Sequence, residues 1–131
     1  ILKFELICDV DVSNVTFKAS MSQELENYTY NKDNYAIAVN GTSLDYPTIS
    51  FNNVPKREGD VLKPQQFAEY TLGTISLRKG NNEITFMTAN SDAISGTTMN
   101  AHAPLLDYIA LTANDAVIQW DNVKGYPVKN Y

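Results

Sequence analysis

The chain has 131 residues, of which 44% are hydrophobic, and this length suits one domain with a buried core. Its formal net charge of −5 at pH 7 argues against nucleic acid and anionic membrane surfaces, because both attract clustered Lys and Arg. The single cysteine excludes an intrachain disulfide, and no apolar run reaches the roughly 20 residues of a membrane-spanning helix.

The first predicted strand begins almost at the first residue, in the run "ILKFELI". We therefore expect the chain to be a piece of a longer protein, whose other parts would carry any targeting segment. Cys8 alternates with Phe4 and Leu6 along this strand and so shares their core-facing side. It is predicted to be a small buried apolar residue rather than a nucleophile.

Runs of β-branched and aromatic residues alternate with polar residues through the whole chain, and no window shows a sustained helical period. In chain order the predicted strands cover residues 2–9, 15–22, 34–39, 42–52, 67–78, 83–89, 105–112 and 116–121. The pattern predicts an all-β jelly-roll β-sandwich of about eight antiparallel strands. We assign residues 1–123 to this domain and residues 124–131 to a C-terminal tail.

The connections between these strands alternate in length. Tight turns follow the first, third, fifth and seventh strands, including the Asn40-Gly41 hairpin signal and "KGNN" around Gly80. Long segments follow the second, fourth and sixth: "QELENYTYNKDN", "VPKREGDVLKPQQ" and "NSDAISGTTMNAHAP". If consecutive strands are antiparallel, all long segments lie at one end of the domain. Such an end is either a binding site or a set of tolerated insertions.

Several motifs together resemble carbohydrate-binding modules of families 6 and 35. The segment "ISLRKGNNEITFMTA", followed after a loop by "APLLDYIALTA", is similar to their C-terminal signature. The matching positions are Leu77, Gly80, Asn82, Ile84, Asp107, Tyr108 and Ile109. Upstream, "YAIAVNGTSL" resembles the family's Val-Asn-Gly hairpin, and "LKFELICDVDVSNVTFKASMS" resembles its early strand pair. The resemblance extends over most of the chain.

This resemblance implies a galactose-binding-like β-sandwich that binds a plant-type polysaccharide or oligosaccharide without catalysis. It further implies a monomeric module that targets an attached glycan-degrading enzyme, in an extracellular or cell-surface protein. Two departures stand out. The chain lacks the acidic Ala-Glu segment that helps such modules hold a structural calcium ion, and Leu105 occupies the position where they often have a sugar-binding asparagine.

Asp107 is unexpected within its strand. Strict alternation places it on one face with Leu105, Ile109 and Leu111, where an ionised carboxylate costs several kcal/mol unless it is compensated. Two interpretations remain open. The resemblance implies that Asp107 is a ligand of structural Ca²⁺, whereas the position of Asp107 near the start of the strand suggests that it accepts backbone N–H groups instead.

Sugar recognition requires aromatic rings that stack on apolar C–H faces, together with amides or carboxylates that bind hydroxyl groups. The long-segment end offers five candidates: Tyr28, Tyr30, Asn100, His102 and Trp120. Each tyrosine is either a sugar contact or a continuation of the preceding strand into the core, and Trp120 is either a platform or a core residue. His102 stands alone, so we expect a loop hydrogen bond rather than a metal or catalytic set.

Two alternatives to a sugar-binding module are considered. A structural or adhesion domain with no sugar affinity is favoured by Leu105. An enzyme is the least favoured class, because one histidine and one core-facing cysteine form no nucleophile system and no pair of carboxylates is fixed at a working separation.

Overall fold

A computed structural model describes residues 1–23, 29–51, 67–88 and 103–113, and at the level of secondary structure also residues 57–58, 61–62, 94–95, 98–99 and 118–125. Every described strand pairing is antiparallel, and the described residues form no helix that could cross a membrane. The prediction of an all-β chain is confirmed.

Within the described residues there are fourteen strands. They are β1 (Leu2–Cys8), β2 (Val12–Ser22), β3 (Thr29–Tyr30), β4 (Tyr35–Val39), β5 (Thr42–Ser43), β6 (Ile49–Ser50), β7 (Arg57–Glu58), β8 (Val61–Leu62), β9 (Ala68–Leu77), β10 (Gly80–Thr88), β11 (Ile94–Ser95), β12 (Thr98–Met99), β13 (Leu105–Thr112) and β14 (Ile118–Gly125).

Two sheets contain all the long strands. The larger has the order β14-β1-β10-β4-β5, and the smaller has the order β13-β2-β9. Each of the three remaining pairs, β3-β6, β7-β8 and β11-β12, is a short ladder of two-residue strands. Several predicted boundaries differ by one to four residues, and two differences stand out. The strand predicted over residues 42–52 is divided into β5 and β6 around Pro47, which has no N–H to donate. The last strand, β14, continues to Gly125, four residues past its predicted end at residue 121.

One hydrophobic core draws side chains from both sheets. Phe17 of β2 and Phe86 of β10 make an edge-to-face contact with ring centroids 6.2 Å apart, and both are fully buried. Along β2 the alternate residues Val15, Phe17, Ala19 and Met21 are all completely covered. Burial of one such large apolar side chain contributes about 1.5–3 kcal/mol. Cys8 is also buried, as its alternation predicts.

The tight turns meet around one buried asparagine. Asn82, 2% exposed, accepts hydrogen bonds at Oδ1 from Asn40 Nδ2 (2.8 Å) and from the backbone N–H of Arg78 (2.9 Å). Its Nδ2 donates to the carbonyls of Arg78 (2.8 Å) and Gly80 (3.1 Å). We call these groups the Asn82 node. It joins the β9–β10 turn to the β4–β5 hairpin.

The β4–β5 hairpin has the geometry that its sequence predicts. Asn40 and Gly41 both have positive φ, +49° and +81°, as a two-residue hairpin turn of the type favoured by Asn-Gly requires. The Asn40 Oδ1 atom accepts a hydrogen bond from the backbone N–H of Glu83 at 2.8 Å, which fixes the hairpin to β10. At the same end of the domain, Asp11 accepts from the backbone N–H of Lys79 at 2.7 Å.

Candidate functional site

Three strand ends lie side by side in the smaller sheet. Leu105, the first residue of β13, is paired with Ser22, the last residue of β2, and the adjacent Met21 is paired with Ala68, the first residue of β9. The three long segments of the sequence therefore enter or leave the sheet at one end, which we call the long-segment end. This confirms, for the described strand ends, the arrangement predicted from the alternation of connection lengths.

Tyr30 lies at this end but belongs to the core. It is 1% exposed, and its ring makes edge-to-face contacts with Tyr35 (5.7 Å) and Phe51 (5.6 Å). Its hydroxyl accepts a hydrogen bond from Nε2 of the buried Gln23. Of the two roles left open for Tyr30, this position corresponds to the core role, and the ring offers no exposed face on which a sugar could stack.

Most of the other predicted contacts lie outside the described residues. Tyr28, Asn100 and His102 are among them, so their predicted roles stay predictions. Trp120 is described only through its backbone, which pairs with Leu6 in the β1–β14 ladder. This pairing places Trp120 in the larger sheet, and both roles suggested for its side chain remain open.

Asp107 is not on an inward face, and the expectation based on strict alternation is wrong. The register between β13 and β2 shifts between Leu106 and Tyr108, so that Asp107 is the extra residue of a β-bulge, and its side chain is exposed. Leu106 and Ile109, three positions apart, both pack against the core. A bulge depends on how two strands pair, so the alternation within one strand could not reveal it.

The described residues show no cluster of acidic side chains around Asp107. Among them there is no group of three or more His, Cys, Asp and Glu side chains close enough to share a metal ion, whereas Ca²⁺ takes six to eight oxygen ligands. Backbone and amide carbonyl oxygens are also ligands of Ca²⁺, so calcium at Asp107 stays a prediction.

Tyr108, the residue after the bulge, faces outward. The Tyr108 hydroxyl donates a hydrogen bond to Glu69 Oε2 at 2.8 Å, and Lys18 Nζ lies 3.5 Å from Glu69 Oε1. Tyr108, on β13, is paired with Ser20 of β2, which in turn is paired with Glu69 of β9. The tyrosine thus reaches across the middle strand, and it is 46% exposed.

We call this surface the Tyr108 face. It consists of Lys18, Ser20, Glu69, Thr71, Tyr108 and Ala110 on the outer side of the smaller sheet. The hydrogen bond to Glu69 raises the pKa of Tyr108, because ionisation of the phenol would place two negative charges together. The phenol therefore remains a neutral donor at physiological pH.

The sequence contained part of the signal for this face. Tyr108 is a position of the family motif, and alternation with Ile109 and Leu111 places it on the outer face. Its hydrogen-bond partner lies 39 positions earlier, on another strand, and is not visible in the pattern of a single strand.

No family model matches the chain, and no curated protein or solved structure matches it either.

Proposed function

We propose that this chain is a non-catalytic carbohydrate-binding module with a jelly-roll β-sandwich fold. In this proposal it binds a plant-type polysaccharide or oligosaccharide and holds an attached glycan-degrading enzyme close to that substrate. The parent protein would be extracellular or on the cell surface. The observation that carries the proposal is the convergence of the three long segments at one end of the smaller sheet. Long loops on a rigid scaffold are the usual location of recognition.

The residues that carry the family resemblance also support the proposal, because they occupy positions with clear structural roles. Gly80 has φ +88°, a conformation that a side chain disfavours, and Asn82 and Ile84 are buried. Asn40 and Gly41 form the turn at the end of the Val-Asn-Gly hairpin. Motif positions with such roles are those that a shared fold would retain.

The function follows from binding alone. A shallow polar surface retains little net free energy after desolvation and ordering, so we expect weak affinity at each site. Attachment to an enzyme converts this weak binding into a high local concentration of substrate, with no new chemistry.

The proposal is tested by electrophoresis of the domain in native gels that contain soluble xylan, mannan or galactan. We expect at least one neutral β-glycan to retard the domain, with serum albumin of unchanged mobility as the control. Unchanged mobility of the domain across a broad panel, both with added calcium and with chelator, would contradict the proposal. That result would favour a structural or adhesion domain, the alternative suggested by Leu105 at the position of the family's asparagine.

A further inference from the structure

The Tyr108 face has three features that are typical of a binding surface. Its aromatic ring is exposed, its polar groups are held in fixed positions by one another, and it lies beside the long-segment end. The row Tyr108–Ser20–Glu69 is two residues along β2 from the last residue, Ser22, or about 7 Å at the usual rise of a strand.

The direction of the Tyr108 side chain follows from its hydrogen bond to Glu69. Strands are about 4.8 Å apart, so a side chain on β13 that bonds one on β9 must extend across β2. It crosses β2 at Ser20, the residue paired with Tyr108, whose small side chain is buried. Tyr108 therefore lies across β2 with 46% of its surface exposed. The exposed part of its ring offers apolar surface to a ligand.

The neighbouring rows leave this ring accessible. The next row of the sheet is Ala110–Lys18–Thr71, and the following row is Thr112–Thr16–Thr74. Apart from Lys18 these residues are small or carry hydroxyl groups. The surface beyond Tyr108 is consequently low and rich in hydrogen-bonding groups, which suits an extended polymer better than a bulky globular partner.

The charges select among polymers. Glu69 and Lys18 form an ion pair and neutralise each other, and the chain as a whole has a net charge of −5. An anionic chain such as polygalacturonate would be repelled by this net charge, whereas a neutral glycan would not.

We infer that the Tyr108 face is a second contact surface for a neutral polysaccharide, with one sugar ring stacked on Tyr108 and its hydroxyl groups bound by Lys18 and Glu69. The inference rests on the proposed function and extends it, because a chain bound at the long-segment end can continue onto the sheet. Tyr108 faces outward here because it is paired with Ser20, the residue of β2 next to the inward-facing Met21.

The test compares Tyr108→Ala, Tyr108→Phe and Met87→Ala with the unmodified domain in gels containing the neutral glycan that retards it most. Met87 is a matched control, because it is 41% exposed on the other sheet. We expect Tyr108→Ala to bind about five- to tenfold more weakly, as loss of one stacking contact implies. Tyr108→Phe, which keeps the ring, and Met87→Ala should bind within about twofold of the unmodified domain.

The outcomes separate the two proposals. Retardation that Tyr108→Ala leaves unchanged would overturn this inference and leave the proposed function standing, whereas no retardation of the unmodified domain by any glycan would overturn both. Stronger retardation by polygalacturonate than by neutral glycans would overturn the choice of ligand.

A second measurement guards against a variant that fails to fold. In the unmodified domain, the neutral glycan should shift the backbone amide resonances of Tyr108, Ser20 and Glu69. Shifts confined to other parts of the domain would contradict the inference, whatever the variants do.

Discussion

The Asn82 node and the Tyr108 face are made of similar hydrogen bonds in opposite environments. Asn82 is almost completely buried, and four polar groups around it depend on its side chain. The Tyr108 hydroxyl, Glu69 and Lys18 lie on the surface, where water can replace any bond that is lost. A buried polar group left without a partner keeps its full desolvation penalty, and an exposed one does not. The first network therefore stabilises the fold, and the second is available to a ligand.

The largest expected effect comes from removing the node. Asn82→Ala leaves the Arg78 N–H, the Arg78 carbonyl and the Asn40 amide without their partner, so we expect a loss of about 2–4 kcal/mol in the free energy of unfolding. For a domain of this size the melting temperature should fall by roughly 10 °C. Thermal unfolding followed by circular dichroism measures this loss.

The neighbouring residue supplies the control for that substitution. Asn81 has an exposed side chain, and its contact with Arg78 Nε is made by its backbone carbonyl, which alanine retains. The Asn81→Ala variant should therefore have nearly the same melting temperature as the unmodified domain. Equal losses in the two variants would show that the node does not depend on burial.

The free energy of unfolding at alkaline pH reports on the buried tyrosines of the core, in contrast to the exposed Tyr108. Burial, followed by repulsion from neighbouring phenols, raises the pKa of Tyr35 and of Tyr46 above the ordinary value of 10. Below pH 10 these phenols are neutral in both the folded and the unfolded chain, so their contribution to the free energy of unfolding is fully present there. Above pH 10 the unfolded chain ionises first, and stability should fall by at most about 1.4 kcal/mol per pH unit for each tyrosine.

Urea unfolding between pH 8 and pH 11 measures this decline. Tyr46→Phe provides the comparison, because it removes the phenol hydroxyl of Tyr46 together with its 2.5 Å hydrogen bond to the Tyr35 carbonyl. This variant should be less stable at pH 8 and decline less steeply above pH 10. A stability that is constant up to pH 11 would contradict the burial of these hydroxyls.

The smallest effect is expected on the exposed face. The Lys18–Glu69 pair is 3.5 Å long and its side chains are both 39% exposed, so Lys18→Ala should change the free energy of unfolding by less than about 0.5 kcal/mol. Urea unfolding at neutral pH measures it. A loss as large as that of Asn82→Ala would mean that the Tyr108 face is structural and would remove the contrast between the two networks.

Features that depend on local chemistry were predictable from the sequence. The Asn40-Gly41 turn was identified because these residue types accept positive φ, and the all-β class followed from alternation over several strands. The burial of Cys8 was predicted in the same way. The position of the long-segment end followed from connection lengths, provided that neighbouring strands are antiparallel.

Features that depend on pairing between distant strands were not predictable. The bulge at Asp107 exists only in relation to β2, so strict alternation assigned Leu105 rather than Leu106 to the core side. The sequence leaves two roles open for Tyr30, and the burial of its ring against Phe51 and Tyr35 depends on contacts that the pattern of one segment does not reveal. Pro47, inside the strand predicted over residues 42–52, is a local signal against a continuous strand, because proline has no N–H to donate to a sheet.

The bulge also shows which features of β13 do not depend on Asp107. Leu106 on one side of Asp107 and Tyr108 on the other are paired with consecutive residues of β2, so a chain lacking Asp107 would keep both pairings and the same side-chain directions. What it would lose is the local increase in twist that a bulge produces. Asp107 therefore changes the direction in which β13 enters the sheet, while the hydrophobic core beneath the strand keeps its packing.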